Sequence, residues 1–200
     1  MQIVITGSSS GVGHELCAQF KNHSVVALSR QHIDLSDMTA VLNYPLPECD
    51  ILINCAATGI DGKIDFVNHR TSSVITIMNT NLLSPMLLSQ KALRHNRKCK
   101  IVNITSTNNN RYYGNDLAYS LSKQALADFG SMLRVEYPDV DLLEVRLGLT
   151  KTNFNNNRYR SDPERYQDIY SNPHLTAESA AIQIADAILS TNIKFLEISA

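Results

Sequence analysis

The sequence predicts an α/β fold: a Rossmann-type, doubly wound and mostly parallel sheet with helices on both faces. Short runs rich in Ile and Val alternate with helix-like segments, and this alternation is typical of a parallel sheet wrapped by helices. A glycine-rich turn directly follows the first apolar run and opens a helix. The length of 200 residues fits one domain. We therefore expect a single domain over 1–200, with a short lid segment near 153–173.

Short apolar runs bounded by turn residues indicate the strands. They are QIVITG (2–7), SVVALSR (24–30), CDILINCA (49–56), KIVNIT (100–105), DLLEVRLG (141–148) and IKFLEIS (193–199). Helical periodicity predicts helices at 11–22, 71–95, 119–137 and 176–189, the second of them interrupted or bent near Pro85.

The connection between the second and third strands is shortened. HIDLSD (32–37) is typical of the end of a third strand, yet it follows Arg30 with no room for a helix between them. Either the crossover is nearly absent, or this third strand is only a short edge piece.

Composition gives no support for several classes of function. The chain is 44% hydrophobic and 18% charged with a net charge of −1, and it has no basic stripe for nucleic acid or an anionic membrane. Its apolar runs fall short of the ~18 residues of a membrane span, and the start MQIVITG lacks a secretory signal, so we expect a cytoplasmic protein. The spacing of Cys17, Cys49, Cys55 and Cys99 predicts reduced thiols and no metal site.

The glycine-rich turn TGSSSGVG (6–13) predicts a phosphate-binding loop. Glycine lets the backbone approach a pyrophosphate closely, and the following helix N-terminus offers unpaired N–H groups and a positive dipole. A purely structural turn is the alternative. The predicted cofactor-binding residues here are Gly7, Ser9, Ser10, Gly11, Val12 and Gly13, with the serines adding hydroxyl donors.

The end of the second strand favours NADP(H) over NAD(H). An acidic residue at this point usually meets a free ribose 2′-hydroxyl, whereas this chain has Arg30 and no acid before Asp34. A guanidinium suits a 2′-phosphate. The alternative is a solvated surface arginine, and Ser10 stands where a second basic residue is often found.

Three residues of the segment 104–129 suggest proton chemistry. Tyr119 and Lys123 are four residues apart and share one helix face, and Ser106 ends the preceding strand. A free tyrosine titrates near ~10, and we expect the Lys123 ammonium to lower that pKa so that Tyr119 acts as a general acid and base.

With these motifs the chain resembles the short-chain dehydrogenase/reductase family, of the single-domain Tyr-x-x-x-Lys type. The resemblance runs through the segments TGSSSGVG (6–13), IDLSD (33–37), INCAAT (53–58), MNTNLLSP (78–85), IVNITS (101–106), YSLSK (119–123) and RLGLTKT (146–152). The chain departs from the family pattern at Cys55, Ala57 and Leu147, and it is shorter than is typical.

The resemblance implies roles for individual residues. Tyr119 would exchange the proton, Ser106 would hold the substrate oxygen, Lys123 would bind the nicotinamide ribose, and Asn81 would anchor a water in a proton relay. It adds Asp34, Leu35, Asn54, Ala56, Leu149 and Thr152 to the cofactor contacts, beside Tyr119 and Lys123 themselves. It also implies a homodimer or homotetramer through the long helices, whose apolar positions include Leu126, Phe129 and Leu133.

Two polar segments border the predicted substrate site. In the first, NNNRYYGND (108–116), Tyr112 and Tyr113 either stack on a substrate or pack against the rest of the protein. In the lid, Arg158, Arg160 and Arg165 either meet an anionic substrate or form a solvated face, and we favour the solvated face.

The predicted function is an NADP(H)-preferring oxidoreductase that interconverts a carbonyl and an alcohol of a small molecule by hydride transfer. Two alternatives remain open. One is a sugar-nucleotide reductase or epimerase, for which the chain leaves no room for a substrate domain. The other is a non-catalytic dinucleotide-binding regulatory protein, against which the intact Ser–Tyr–Lys set argues.

Overall fold

The computed structural model describes residues 1–62, 64–108, 114–159, 163–190 and 192–200. Its strands are β1 (Gln2–Thr6), β2 (Ser24–Leu28), β3 (Ile51–Asn54), β4 (Lys100–Ser106), β5 (Leu142–Leu147), β6 (Thr150–Lys151), β7 (Leu175–Thr176) and β8 (Phe195–Ile198). A six-stranded sheet has the order β2-β1-β3-β4-β5-β8 with every pair parallel, and β6 and β7 form a separate parallel pair.

Helices lie between most of the successive strands. They are α1 (Gly11–Gln19), α2 (Met38–Asn43), α3 (Thr71–Met78), α4 (Ser84–His95), α5 (Leu117–Glu136), α6 (Asn153–Arg158), α7 (Pro163–Ile169) and α8 (Ala177–Leu189). A π-helical turn at Asn79–Leu83 separates α3 from α4. It lies just before Pro85, which has no N–H to donate to a carbonyl of the preceding turn. The predicted interruption of the 71–95 helix is therefore confirmed.

Both faces of the sheet are covered, which confirms the doubly wound fold. Successive side chains of a strand point to opposite faces, so Ile3 and Ile5 join a core with Leu16 of α1, while Val4 joins a second core with Leu88 of α4. The chain passes from β1 to β2 on one side and then to β3 on the other. This reversal opens a crevice at the carboxyl ends of β1 and β3.

The predicted third strand at 32–37 is wrong. Asp34 accepts hydrogen bonds from the N–H and hydroxyl of Ser36, and Asp37 caps α2 by accepting from the N–H groups of Thr39 and Ala40. These side chains offer the backbone a turn in place of a strand ladder. The connection between β2 and β3 is short because it holds a six-residue helix, α2.

Within the described ranges, no helix combines the length and apolar character that crossing a membrane requires.

Candidate active site

A cleft of about 1110 Å³ opens at the carboxyl ends of the parallel strands, where ligands of open α/β sheets bind. It brings together most of the residues predicted from the sequence. These are Gly7, Ser9, Ser10, Gly11, Val12, Gly13, Arg30, Asp34, Leu35, Ala56, Ser106, Tyr119, Lys123, Leu149 and Thr152.

The glycine loop runs tightly against the end of β3. Gly7 and Gly11 have φ angles of +74° and +57°, a region that disfavours other residues. A Cβ on Gly7 would lie 2.8 Å from the Cα of Ala56. Thr6 fixes this approach, because its Oγ1 accepts hydrogen bonds from the N–H groups of Cys55 and Ala56, both at 3.1 Å. Sequence reasoning missed this role of Thr6.

Helix α1 begins at Gly11, in the wall of the cleft. Ser10 is its N-cap residue, and its side chain makes no capping hydrogen bond to the described residues. The first-turn N–H groups are therefore not occupied by this cap, and they retain the positive end of the helix dipole. This donor set fits the pyrophosphate of a dinucleotide.

The far end of the cleft carries Arg30, which is exposed just after β2. The hydroxyl of Ser29 lies 2.9 Å from Nδ1 of His32 beside it. The Asp34 carboxylate is engaged in its own turn, and the hydrogen bonds from Ser36 lower the pKa of Asp34, with a smaller contribution from Arg30. A guanidinium thus accompanies the carboxylate at this end, which fits a phosphorylated ribose.

The three residues predicted for proton chemistry meet at the opposite end. Ser106 ends β4, and Tyr119 and Lys123 share one face of α5. Nζ of Lys123, fully inside the structure, donates a 2.7 Å hydrogen bond to the carbonyl of Ile104. The Tyr119 ring packs against that of Phe154 with their centroids 5.5 Å apart.

The electrostatics of Tyr119 differ from the prediction. Burial raises the pKa of Tyr119 above its ordinary value, and the charge of Arg158 and the hydroxyl of Ser106 oppose this rise. Burial also lowers the pKa of Lys123 to about 8. The prediction that Lys123 lowers the phenol pKa is therefore wrong, because desolvation outweighs it and the nearby cation that favours the phenolate is Arg158.

Asn81, predicted to be catalytic, does not line the cleft. Its Oδ1 accepts from the N–H of Thr58 at 2.8 Å, and its Nδ2 donates to the carbonyl of Thr58 at 2.9 Å and to the Ser122 hydroxyl at 3.0 Å. Ser122 in turn donates to the carbonyl of Tyr119 at 2.7 Å. The Asn81 side chain thus joins the loop after β3 to the helix that carries Tyr119.

Asn54, predicted to bind the cofactor, also lies outside the cleft. Its Nδ2 donates to Oδ1 of Asn103 at 2.9 Å and to the hydroxyl of Ser89 at 3.2 Å, all within the protein interior. Successive side chains of a strand point to opposite faces, so Asn54, the last residue of β3, points into the interior. Cys55 and Ala56, which follow it, line the cleft.

The segment 153–173, predicted to be a lid, contributes a further charged residue to the cleft. Arg158 lines the cleft and forms an ion pair with Asp116, and only 6% and 2% of their side-chain surfaces are exposed. The preference for a solvated face is therefore wrong for Arg158. Tyr112, Tyr113 and Arg160, and the side chain of Arg165, lie outside the described residues.

The family model for short chain dehydrogenases matches residues 30–163. The chain belongs to the short-chain dehydrogenase family. The resemblance inferred from the motifs is confirmed, and the chain is an oxidoreductase of this family.

Curated relatives agree with this assignment, and solved structures share the fold. The chain is 28% identical to the NADP-dependent 3-hydroxy acid dehydrogenase of Schizosaccharomyces pombe, over 93% of this chain and 86% of that protein. It is 29% identical to a probable short-chain type dehydrogenase/reductase, VdlC, of Helicobacter pylori, over 84% and 71%. Its fold is shared with a closed serine dehydrogenase complexed with NADP⁺ (TM-score 0.86, 20% identity, 100% of this chain and 95% of that one). A 4-hydroxyisoleucine dehydrogenase complexed with NADH is also similar (TM-score 0.82, 22% identity, 99% and 96%).

Proposed function

We propose that this oxidoreductase prefers NADP(H) and interconverts a carbonyl and an alcohol, with Tyr119 as the proton donor and acceptor. The observation that carries the proposal is the shared cleft. The glycine loop and Arg30 line one end, and Ser106, Tyr119 and Lys123 line the other. A bound nicotinamide cofactor supplies the hydride, and this chain's residues bind, orient and move a proton.

At the end of the cleft that holds Ser106, Tyr119 and Lys123, each residue has a separate task in carbonyl reduction. The Ser106 hydroxyl holds the substrate oxygen beside Tyr119, and the phenol gives its proton to that oxygen as negative charge develops. Lys123 is fixed by Ile104 and binds the nicotinamide ribose. Ser122 and Asn81 hold the backbone of α5 at Tyr119. In oxidation the phenolate takes the proton back.

A substrate screen tests this proposal. Carbonyl compounds are offered with NADPH or NADH, and alcohols with NADP⁺ or NAD⁺, while the absorbance of the reduced nicotinamide is followed. We expect turnover with NADPH. Tight dinucleotide binding without turnover on any compound would instead favour the non-catalytic regulatory protein.

Arg30 is expected to set the cofactor preference. Arg30→Ala removes the guanidinium that pairs with the 2′-phosphate, so the ratio of NADPH to NADH affinity should fall by at least about tenfold, the value of one ~1.4 kcal/mol charge-assisted contact. Calorimetric titration measures both affinities. Arg94→Ala, exposed in the last turn of α4, is the matched control and should leave the ratio unchanged. A wild type that prefers NADH would refute this role. The NADP-dependent relative supports it.

The oligomer is proposed to form through α5. Of the three apolar positions named from the sequence, Leu126 is buried, Leu133 packs partly buried against the core, and Phe129 is half-buried. The exposed apolar residues of α5 form a different stripe along one helix face, made of Leu117, Leu121, Met132 and Val135. A second copy of this chain would cover such a stripe.

Sedimentation velocity tests the oligomer. Wild type should sediment as a dimer or tetramer at micromolar concentration, and Leu121→Glu, at a position 52% exposed, should shift it to monomer. Leu42→Glu, at a position 60% exposed on α2, is the control and should not. A monomeric wild type contradicts the proposal.

A further inference from the structure

Arg158 is a buried cation at the substrate end of the cleft. It is the last residue of α6, it lines the cleft, and its ion pair with Asp116 spans 42 residues of sequence. Burying a charged pair costs free energy that a surface arginine does not incur. The fold therefore holds this guanidinium at a defined place beside the reacting groups.

The ion pair does not use all the donors of Arg158. A guanidinium carries five N–H donors. Nη2 donates to Oδ1 of Asp116, whereas Nε is buried and has no hydrogen-bond partner among the described residues. The other carboxylate oxygen of Asp116 accepts from Nδ2 of Asn108 at 3.3 Å. A buried charged donor without a partner is costly, and a ligand that accepts its hydrogen bond removes that cost.

The guanidinium is held close to Tyr119. Its Cζ lies 4.7 Å from the centre of the Tyr119 ring and 5.8 Å from that of Phe154. Gly59, in the loop after β3, makes room for this arrangement. A Cβ on Gly59 would lie 3.0 Å from the Phe154 ring and 3.3 Å from Cδ of Arg158. The arginine is thus packed between a glycine and two aromatic rings, which leaves it little freedom to turn away.

Charge along the cleft favours an anion at this end. Lys123 and Arg158 are the cations here, and the acidic residue that lines the cleft within the described chain, Asp34, lies at the opposite end beside Arg30. Asp116 pairs with Arg158 and balances one of the two positive charges. A monoanion balances the other, and the fork of N–H donors on a guanidinium matches the two oxygens of a carboxylate.

We propose that the substrate is a short oxo acid or hydroxy acid whose carboxylate binds Arg158 while its carbonyl or alcohol meets Ser106 and Tyr119. This inference rests on the proposed function and adds the substrate class to it. The proximity of the guanidinium to the Tyr119 ring places the carboxylate within a few bonds of the reacting carbon. Arg158 is then a specificity residue, since it contacts the end of the substrate that does not react.

Paired substrates separate this role from catalysis. Lactate and 3-hydroxybutyrate are each compared with their methyl esters, which keep the alcohol and lose the negative charge. With NADP⁺, wild type should show a kcat/KM at least about 10²-fold higher for the better acid than for its ester, in the range that discrimination by a buried polar group reaches. Equal kcat/KM for acids and esters would overturn the inference and leave the proposed function standing.

Variants assign the preference to Arg158. Arg158→Met is combined with Asp116→Asn so that no unpaired charge is left buried. This double variant should lower the ratio of acid to ester kcat/KM by about 10²-fold, and Arg158→Lys should recover part of it because a lysine keeps the charge without the fork. Arg94→Met is the control and should keep the ratio. Tyr119→Phe should lower kcat/KM for the acid and for its ester alike. This pattern distinguishes a loss of chemistry from a loss of carboxylate recognition.

A binding measurement decides the question without turnover. Butyrate and butyramide are titrated by calorimetry into wild type loaded with NADP⁺, and into the Arg158→Met, Asp116→Asn double variant. Butyrate should bind wild type at least about tenfold more tightly than butyramide, and the double variant should lose that difference. If butyramide binds as well as butyrate, Arg158 serves only the structure of the lid.

Discussion

Tyr119→Phe is expected to lower turnover by at least ~10²-fold, the lower end of what general acid catalysis contributes. The substitution removes one oxygen and keeps the ring, so the packing against Phe154 and the stacking of Arg158 remain. Ser106 is a poor replacement, since its hydroxyl is a far weaker acid than a phenol. Cofactor affinity should stay near that of wild type because the glycine loop and Lys123 are intact.

Lower turnover together with unchanged cofactor affinity identifies an interaction made in the transition state rather than in the bound ground state. Initial rates of carbonyl reduction with NADPH give kcat, and calorimetry gives the dinucleotide affinity. Tyr137→Phe, at the C-terminal end of α5 and away from the cleft, is the matched control and should keep full activity. If Tyr119→Phe turns over as fast as wild type, the proton comes from another group and the proposed mechanism is wrong.

The pH dependence of the two directions should differ, and the sign follows from the raised pKa of Tyr119. Oxidation needs the phenolate. Below that pKa its population grows about tenfold per pH unit, so kcat/KM for alcohol oxidation should rise with pH through the neutral range. Reduction needs the phenol, which is already present, so kcat/KM for carbonyl reduction should not rise over the same range. An oxidation rate that is independent of pH would exclude Tyr119 as the base.

The parts of the site that sequence predicted correctly depend on local geometry. A spacing of four residues on a helix places Tyr119 and Lys123 on one face wherever that helix lies. Residues that end parallel strands meet at one edge of the sheet, which brings Ser106 to the same cleft as the glycine loop after β1. Neither inference needs knowledge of how distant side chains pack.

The parts that sequence missed depend on contacts between distant segments. The pairing of Arg158 with Asp116 joins residues 42 apart, and no periodicity or spacing links them. Asn81 satisfies backbone groups of Thr58, whose position follows only from the path of the loop after β3. The pKa of Tyr119 depends on how fully the ring is desolvated, which spacing alone does not give.

The second large effect is expected from Gly13→Val in the glycine loop, which should weaken NADPH binding. The structure attributes this effect to packing inside the turn between β1 and α1. Gly13 lines the cleft, as expected of a cofactor-binding residue. In the structure Gly13 is buried, and a Cβ added to it would collide with the carbonyl group of Gly7. Gly13→Val therefore pushes the first turn of α1 away from the start of the loop. Gly7 has little room to move, because it packs closely against Ala56 just after β3. A Cβ added to Gly7 would lie 2.8 Å from the Cα of Ala56.

We expect Gly13→Val to weaken NADPH binding by about 10- to 10²-fold, since overpacking of this kind costs about 1–3 kcal/mol and each 1.4 kcal/mol is tenfold in affinity. Calorimetric titration measures the loss, and far-UV circular dichroism checks that the helices remain. Gly114→Val is the matched control: a Cβ on Gly114 would meet no atom of the described residues within 4 Å, so NADPH affinity should be unchanged. If Gly13→Val binds NADPH within threefold of wild type, the turn between β1 and α1 is only a structural connection, and the cofactor must be held elsewhere in the cleft.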